Sequence, residues 1–443
     1  MTTSNNTIAT NMSATTSKKI TKQIVQQQLM KKQPDVDKER PSVELYSAEY
    51  RDQRCIPHST NVKSYVFNGD ELFFEGYPYS IELTQTNYEG LEFEKCRFFE
   101  AHEGTLLRVF NIGGKWYTST NRRLDAFNSK WAAKTTTFGL HFAHAVRENI
   151  RALSDEEFFE DEEESFEEKK KVAREYLNKI YEANLDKSKK YMFLIEPCKE
   201  ERIVCLTNSP RFFNIGVFDK DNNLSLTEDV VLDGFMVPKP QELFFEDMRE
   251  MLQALDNIDI KRIQGFIAIQ SEQGRDDKHF KILTNRYKYY FGLRGNTSSI
   301  RFRFLELEYQ NTLIHLGQGT NQQTTAQTNQ MLIDFCDMYD FNAEPLLNYI
   351  WRVVVEDLFQ KYQIRYIKKN LADPSMSPKQ DKMLKEIHMH FSESVRAGRR
   401  RQTDRLRIRD ILAMQKPSYL NQLIAEYEKK DKDAERERRM REM

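Results

Sequence analysis

The sequence contains no run of 18 or more apolar residues, so no transmembrane helix is expected. The first thirty residues hold no apolar stretch of the signal-peptide kind, which argues against secretion. Cysteine is sparse: Cys55, Cys96, Cys198, Cys205 and Cys336 are scattered, odd in number and form no Cys-x-x-Cys pair. Such a set fits reduced thiols in an intracellular, cytosol-like compartment better than a disulfide framework. There is no P-loop lysine motif, no dinucleotide glycine fingerprint, no zinc-ligand spacing and no repeat of solenoid period. In "EIHMH" (386–390), His388 and His390 are two apart and point to different faces of a helix, so they make no metal pair. An excess of one charge is also missing, with Lys+Arg 67 against Asp+Glu 68. What is present is length and aromatic content: 443 residues with 12% aromatics support two to three domains with packed sheets.

Residues 1–40 are rich in Thr, Ser, Asn, Gln and Lys and read as a disordered basic and polar tail, with a transient helix around Ile20, Ile24 and Leu29. From 41 to 310 the texture is mixed α and β. "KSYVFNGDELFFEGYPYSIEL" (63–83) alternates strand runs with turn residues. "TLLRVFNIGGKWYTST" (105–120) reads as a hairpin around Gly113-Gly114. "YMFLIEP" with "ERIVCLT", and "IQGFIAIQ" with "HFKILT", read as two further strand pairs, and "IRFRF" (300–304) alternates as a half-buried strand does. An acidic block at 155–168 opens a helix that turns basic later, which suits the helix dipole. "GQGTNQQTTAQTNQ" (317–330) reads as a linker or exposed loop, assigned to 311–330. Residues 331–425 read as a helical domain, with Pro345 near a helix start and Leu346, Ile350, Val353, Val354, Leu358 and Tyr362 on one side. Further helices are expected over 378–396, 403–414 and 417–441, the last merging into a charged, fraying tail at 426–443.

Four segments, "AHEGT" (101–105), "YMFLIEPCKEERIV" (191–204), "IQGFIAIQ" (263–270) and "HFKIL" (279–283), occur in the order of the motifs of covalent nucleotidyltransferases. Over roughly residues 64–308 the chain resembles the RNA ligase branch of that family, especially ligase-like proteins of large DNA viruses. The resemblance implies an α+β fold: an antiparallel-sheet nucleotidyltransferase (ATP-grasp-like ligase) domain followed by an all-helical C-terminal domain. Chemistry in the family begins with a lysine in a Lys-x-Asp/Glu-Gly signature, which attacks the α-phosphate of ATP. Here Glu103 and Gly104 match the acidic-glycine pair, while Ala101 stands at the lysine position. Phe193 falls where the family has a ribose-contacting glutamate, and Gln264 where it has a metal-binding glutamate. Lys281 matches one phosphate-clamping lysine, and Leu283 replaces the second. Lys95 and Lys115 are the lysines nearest in sequence, and neither supplies the missing carboxylates.

The resemblance therefore implies a degenerate site with no catalytic residue, no metal and no cofactor, in which Glu103, Gly104, Arg108 and Lys281 hold phosphate. Nucleic acid, RNA ahead of DNA, is the expected partner. Arg122, Arg123 and Lys130 lie among hydroxyls beside the hairpin, and Arg286, Lys288 and Arg294 are interleaved with tyrosines. Arg396, Arg399, Arg400, Arg401, Arg405, Arg407 and Arg409 make the densest basic patch, seven arginines with two aspartates in "RAGRRRQTDRLRIRD". Two alternatives stay open: an active ATP-dependent RNA ligase using ATP and Mg with displaced residues, and an assembly protein that docks partners through the 155–168 helix or the C-terminal helices. The expected location is intracellular, in the cytoplasm, a viral factory or the virion.

Overall fold

A computed structural model describes residues 21–28, 34–47, 64–77, 80–83, 88, 90–131, 136–151, 165–197, 202–206, 209–271, 278–297, 299–317, 324–369, 376–398 and 403–442. By its contacts the chain divides into a sheet-built unit (1–199 with 205–283) and a helical unit (200–204 with 284–443). The sequence reading put that boundary at 310. The helices it assigned to the first domain after residue 283 carry Leu293, Phe304, Leu305 and Leu307, and these pack into the helical core.

The sheet unit begins with helix α1 (Lys22–Gln28) and strands β1 (Asp35–Val36), β2 (Val43–Ser47), β3 (Ser64–Asn68) and β4 (Glu71–Glu75), which form a four-stranded sheet. The tail was expected to be disordered. Its described part is instead packed, with Val25 fully buried against Tyr46, Tyr65 and Phe67. Then follow β5 (Ile81–Leu83), β6 (Cys96–Ala101), β7 (Thr105–Ile112), β8 (Lys115–Thr120), α2 (Phe138–Arg151), α3 (Phe166–Asn184), β9 (Lys190–Ile195) and β10 (Phe212–Phe218). Short strands β11 (Leu224–Ser225), β12 (Val231–Leu232), β13 (Phe235–Met236) and β14 (Glu242–Leu243) lead to α4 (Met248–Asp256), β15 (Gly265–Gln270) and β16 (Lys278–Leu283). Two five-stranded sheets result, ordered β11-β10-β9-β7-β8 and β14-β6-β15-β16-β5.

The β7–β8 hairpin turns at Gly113-Gly114, both with positive φ, as the sequence implied. The pairing of β15 with β16 also holds. "ERIVCLT" does not pair with β9, whose neighbours are β7 and β10. Residues 202–206 are irregular. Arg202 there donates to the Met338 carbonyl at 2.9 Å, an anchor outside any sheet. Helices α2 and α3 cover the β7–β9–β10 sheet, burying Phe142, Val146, Leu177 and Tyr181 with Leu107, Val109, Phe193 and Phe212. Of the acidic block at 155–168, residues 155–164 lie outside the described residues, and Ser165 caps α3.

The helical unit comprises α5 (Asn285–Arg294), α6 (Ile300–His315), α7 (Thr325–Tyr339), α8 (Glu344–Tyr349), α9 (Glu356–Tyr362), α10 (Pro378–Arg396), α11 (Arg405–Ala413) and α12 (Pro417–Glu442). π-Helical turns over Ile350–Val355 and Gln363–Ile367 extend α8 and α9 into one long rod. "IRFRF" is helix, not strand: Ser299 caps it, and Phe304, Leu305 and Leu307 belong to a helical face that five residues of alternation concealed. The stretch read as a linker holds the start of α7, closed by a capping box between Thr324 and Gln327. Buried Thr328 there donates to Asn311 at 2.6 Å, so a polar segment packs through its hydrogen bonds.

Candidate functional site

In a strand, alternate side chains face the same side, and the register of β6, β15 and β16 sets them in rows. Ala101 pairs with Gly265 and Gly265 with Leu283; Phe99 pairs with Ile267 and Ile267 with Lys281; Arg97 pairs with Ile269 and Ile269 with His279. Gly104 and Leu106 of the β6–β7 connection and β7, Leu194 of β9, and Asn214 and Ile215 of β10 supply the other wall. Between them lies a cavity of ≈ 470 Å³, also lined by Gln264, Lys239 and Glu242. That volume is of the size that holds a small ligand.

Two glycines are required by packing. A Cβ on Gly104 would lie 2.3 Å from the Ile195 carbonyl oxygen, and one on Gly265 would lie 2.0 Å from that of Ile282. Each glycine thus lets a second backbone approach more closely than a side chain would allow.

At that rim stands His102, beside Ala101. Its Nδ1 lies 3.2 Å from Glu196 Oε1 and its Nε2 lies 3.3 Å from Glu100 Oε2, with the ring stacked on Phe213 at 4.1 Å. Gln264 Nε2 donates to the His102 carbonyl at 2.7 Å. Arg211 grips Glu196 through two hydrogen bonds of 2.8 Å. Burial by itself raises the Glu196 carboxyl, but His102 and Arg211 outweigh it and hold the group below its usual 4.5. On the same wall, Arg97 makes a two-pronged pair with Glu242, at 2.7 and 2.8 Å. That hydrogen bonding raises the Arg97 guanidinium and lowers the Glu242 carboxyl. Lys239 binds Asp229 and the Thr227 carbonyl, each at 2.6 Å.

Of the residues singled out in the sequence, Ala101, Gly104, Gln264 and Lys281 meet at the cavity. Glu103 does not line it; its buried carboxylate accepts from Cys205 N at 3.2 Å. Arg108 turns away from it. Its fully buried guanidinium donates to Ser64 Oγ at 2.8 Å, to Ser119 Oγ at 2.9 Å and to the Thr120 carbonyl. Burial lowers that group to about 9. Phe193 is on the opposite face of β9, packed against Phe142 and Phe212; its neighbour Leu194 faces the cavity. A substitution at 193 therefore does not report on the cavity. Lys95 pairs with Glu92 at 2.6 Å, and Lys115 pairs with Asp37 and Glu39 at 2.9 and 2.7 Å. Neither lysine lines the cavity.

Among the basic residues, Arg122, Arg123, Lys130, Arg286, Arg396, Arg405 and Arg409 are exposed, and Lys288 and Arg407 are half-buried. Arg123 pairs with Asp35 at 3.1 Å. Arg294 is fully buried and donates to the carbonyls of Arg202 and Thr297, so it offers no surface contact. Arg405 pairs with Glu356 over the Phe359 ring, and Arg409 pairs with Asp410 near Trp351. Arg399, Arg400 and Arg401 lie outside the described residues. The sequence reading missed His102, Glu196, Arg97 and Glu242. His102 and Glu196 sat inside quoted motifs, whereas Arg97 and Glu242 are 145 positions apart and share no local pattern.

No family model matches the chain. It is similar to "Immediate-early protein ICP-46" of Frog virus 3 (isolate Goorha), 29% identical over 264 residues, covering 57% of this chain and 62% of that protein. The chain thus matches less than two thirds of that relative's length. An "Immediate-early protein ICP-46 homolog" of Invertebrate iridescent virus 6 is 26% identical over 364 residues, covering 79% of this chain and 71% of the other. Among solved structures the chain is similar to "Putative ATP-dependent DNA ligase from Aquifex aeolicus", with TM-score 0.34, 14% identity, and 82% and 85% of the two chains covered. It is also similar to "Archaeal ATP-dependent RNA ligase - form 2", with TM-score 0.36, 9% identity, and 76% and 81% covered.

Proposed function

We propose that the chain is a viral, catalytically degenerate RNA-ligase-like protein that holds nucleic-acid ends or backbone without forming a lysyl-nucleotide. The observation that carries this reading is Ala101. It lines the cavity where the signature places the nucleophile, and a methyl group cannot make a phosphoramidate bond. The nearby groups do not replace it. Both ring nitrogens of His102 face carboxylates, and Lys239 is tied to Asp229. Gln264 offers a hard cation one neutral oxygen where a carboxylate would bring charge.

What the cavity retains is phosphate-binding capacity, from Lys281 and Arg97, and a glycine-shaped wall. Exposed Arg122, Arg123 and Lys130 on the sheet unit, and Arg396, Arg405 and Arg409 on the helical unit, would contact backbone phosphates. The pairing of Arg405 and Arg409 with acids also favours a second reading, in which the helical unit docks a protein partner. The protein would work inside the infected cell, in the cytoplasm or viral factory.

Titration with single-stranded, nicked and duplex RNA at two salt concentrations tests the reading. Salt-sensitive binding supports it; no binding at low salt leaves the partner scaffold.

A further inference from the structure

The segment from Val237 to Leu243 crosses the cavity as a strap. Asn214 N of β10 donates to the Pro238 carbonyl at 2.8 Å, and Glu100 N of β6 donates to the Gln241 carbonyl at 2.9 Å. The strap therefore runs from one sheet to the other, and Lys239 and Pro240 between these anchors line the cavity. Its far end, β14, pairs with β6 through only two residue pairs, Glu242 with Phe99 and Leu243 with Phe98. Beyond it Phe244 is 84% exposed, while Leu243 and Phe245 pack on the core around Phe98 and Phe266 and keep β14 in place.

The clamp on the strap is the pair between Arg97 and Glu242. Arg97 stands in the cavity-facing row with His279, one row from Lys281. Two parallel N–H···O bonds at 2.7 and 2.8 Å join it to the carboxylate, the same fork with which arginine takes a phosphate. The side chains are 41% and 30% exposed, so exchange needs no unpacking of a core.

We propose that Glu242 is a resident stand-in for ligand phosphate: a phosphorylated ligand entering the cavity takes Arg97 from Glu242, whose side chain swings to solvent while β14 stays packed. The ligand class is a nucleoside polyphosphate or a 5′-phosphorylated nucleic-acid end. This rests on the reading of the cavity as a phosphate site. No bond is made or broken; one anion replaces another on the same guanidinium.

The test uses the full chain and the variants Glu242→Gln, Arg97→Gln and Glu246→Gln. The last removes one exposed carboxylate outside the cavity lining. Each is titrated at low salt with ATP and with inorganic pyrophosphate, and its melting temperature is recorded. E242Q is expected to bind both probes roughly fivefold more tightly, the scale a partly exposed ion pair supports. R97Q is expected to bind them about tenfold more weakly, and E246Q as the unaltered chain does. Both cavity variants break the same ion pair, so a purely structural role moves their binding in one direction, whereas exchange moves it in opposite directions. ATP held equally by E242Q and the unaltered chain overturns the exchange alone. ATP held by none of the four proteins overturns the phosphate-site reading and the exchange with it. A response to ATP but not to pyrophosphate places the recognition on the nucleoside and also contradicts the exchange.

Discussion

Among the described residues, the sheet unit and the helical unit each bury one arginine completely, and each gathers its remaining charges differently. In the sheet unit, strand register brings Arg97, Glu100, His102, Glu196, Glu242 and Lys281 to one cavity or its rim from positions as far apart as 97 and 281. In the helical unit the exposed arginines lie along helix surfaces, and Arg405 and Arg409 pair with acids close by. The buried arginines, Arg108 and Arg294, donate to hydroxyls and carbonyls. A basic residue in the sequence thus indicates neither a site nor a surface until its partners are known. The sheet unit places its charges around an open cavity between two sheets, and the helical unit around a continuous core with a charged exterior.

The sharpest way to break this contrast is at the close-packed glycines. Gly265→Ala sets a methyl group 2.0 Å from the Ile282 oxygen and should cost on the order of 3–5 kcal/mol, lowering the denaturation midpoint. A shift below about 1 kcal/mol would show that the wall yields and that the glycine is not structural. In the helical unit, Leu358→Ala leaves a hole beside Val354, Ile387 and Ile411 and should cost about 3 kcal/mol. If the cavity of the sheet unit binds ATP as proposed, that binding should survive the change under native conditions. A loss of ATP binding at full folding would mean that the two units are functionally coupled.

Acid should act on the rim of the cavity. The folded Glu196 carboxyl lies below its usual 4.5, so its contribution is present above that pH and disappears as pH falls through the folded value. Glu196→Gln should therefore flatten the acid limb of a stability-against-pH curve, and an unchanged limb would remove Glu196 from the account. The smallest effect is expected at the surface. Arg405→Gln with Arg409→Gln should lower the salt slope of RNA binding by about two phosphate contacts' worth. An unaltered slope would support the docking of a protein partner there.

Local pattern made much of the fold readable. Gly113-Gly114 marked its hairpin, and the apolar spacing from Leu346 to Tyr362 marked its helix. The failures arose where a short pattern is ambiguous or where the cause is distant. "IRFRF" alternates for five residues inside a sixteen-residue helix, and only the wider core shows its period. The capping box at Thr324 is legible once Gln327 is noticed, yet the polar composition around it suggested a linker. Ala101, Gln264 and Lys281 were legible as cavity residues because their motifs lie on adjacent strands. Phe193 failed by one step of strand alternation, which sends its side chain to the helices. Glu242 could not be anticipated, since nothing within its own segment points to Arg97.

The central claim is that the cavity has kept its walls and lost its nucleophile. Incubation of the full chain with α-labelled ATP and magnesium, followed by denaturing electrophoresis, tests it most directly. The account predicts no covalent label on the protein; a labelled band that survives denaturation and alkali, is released by acid and maps to a lysine would contradict it.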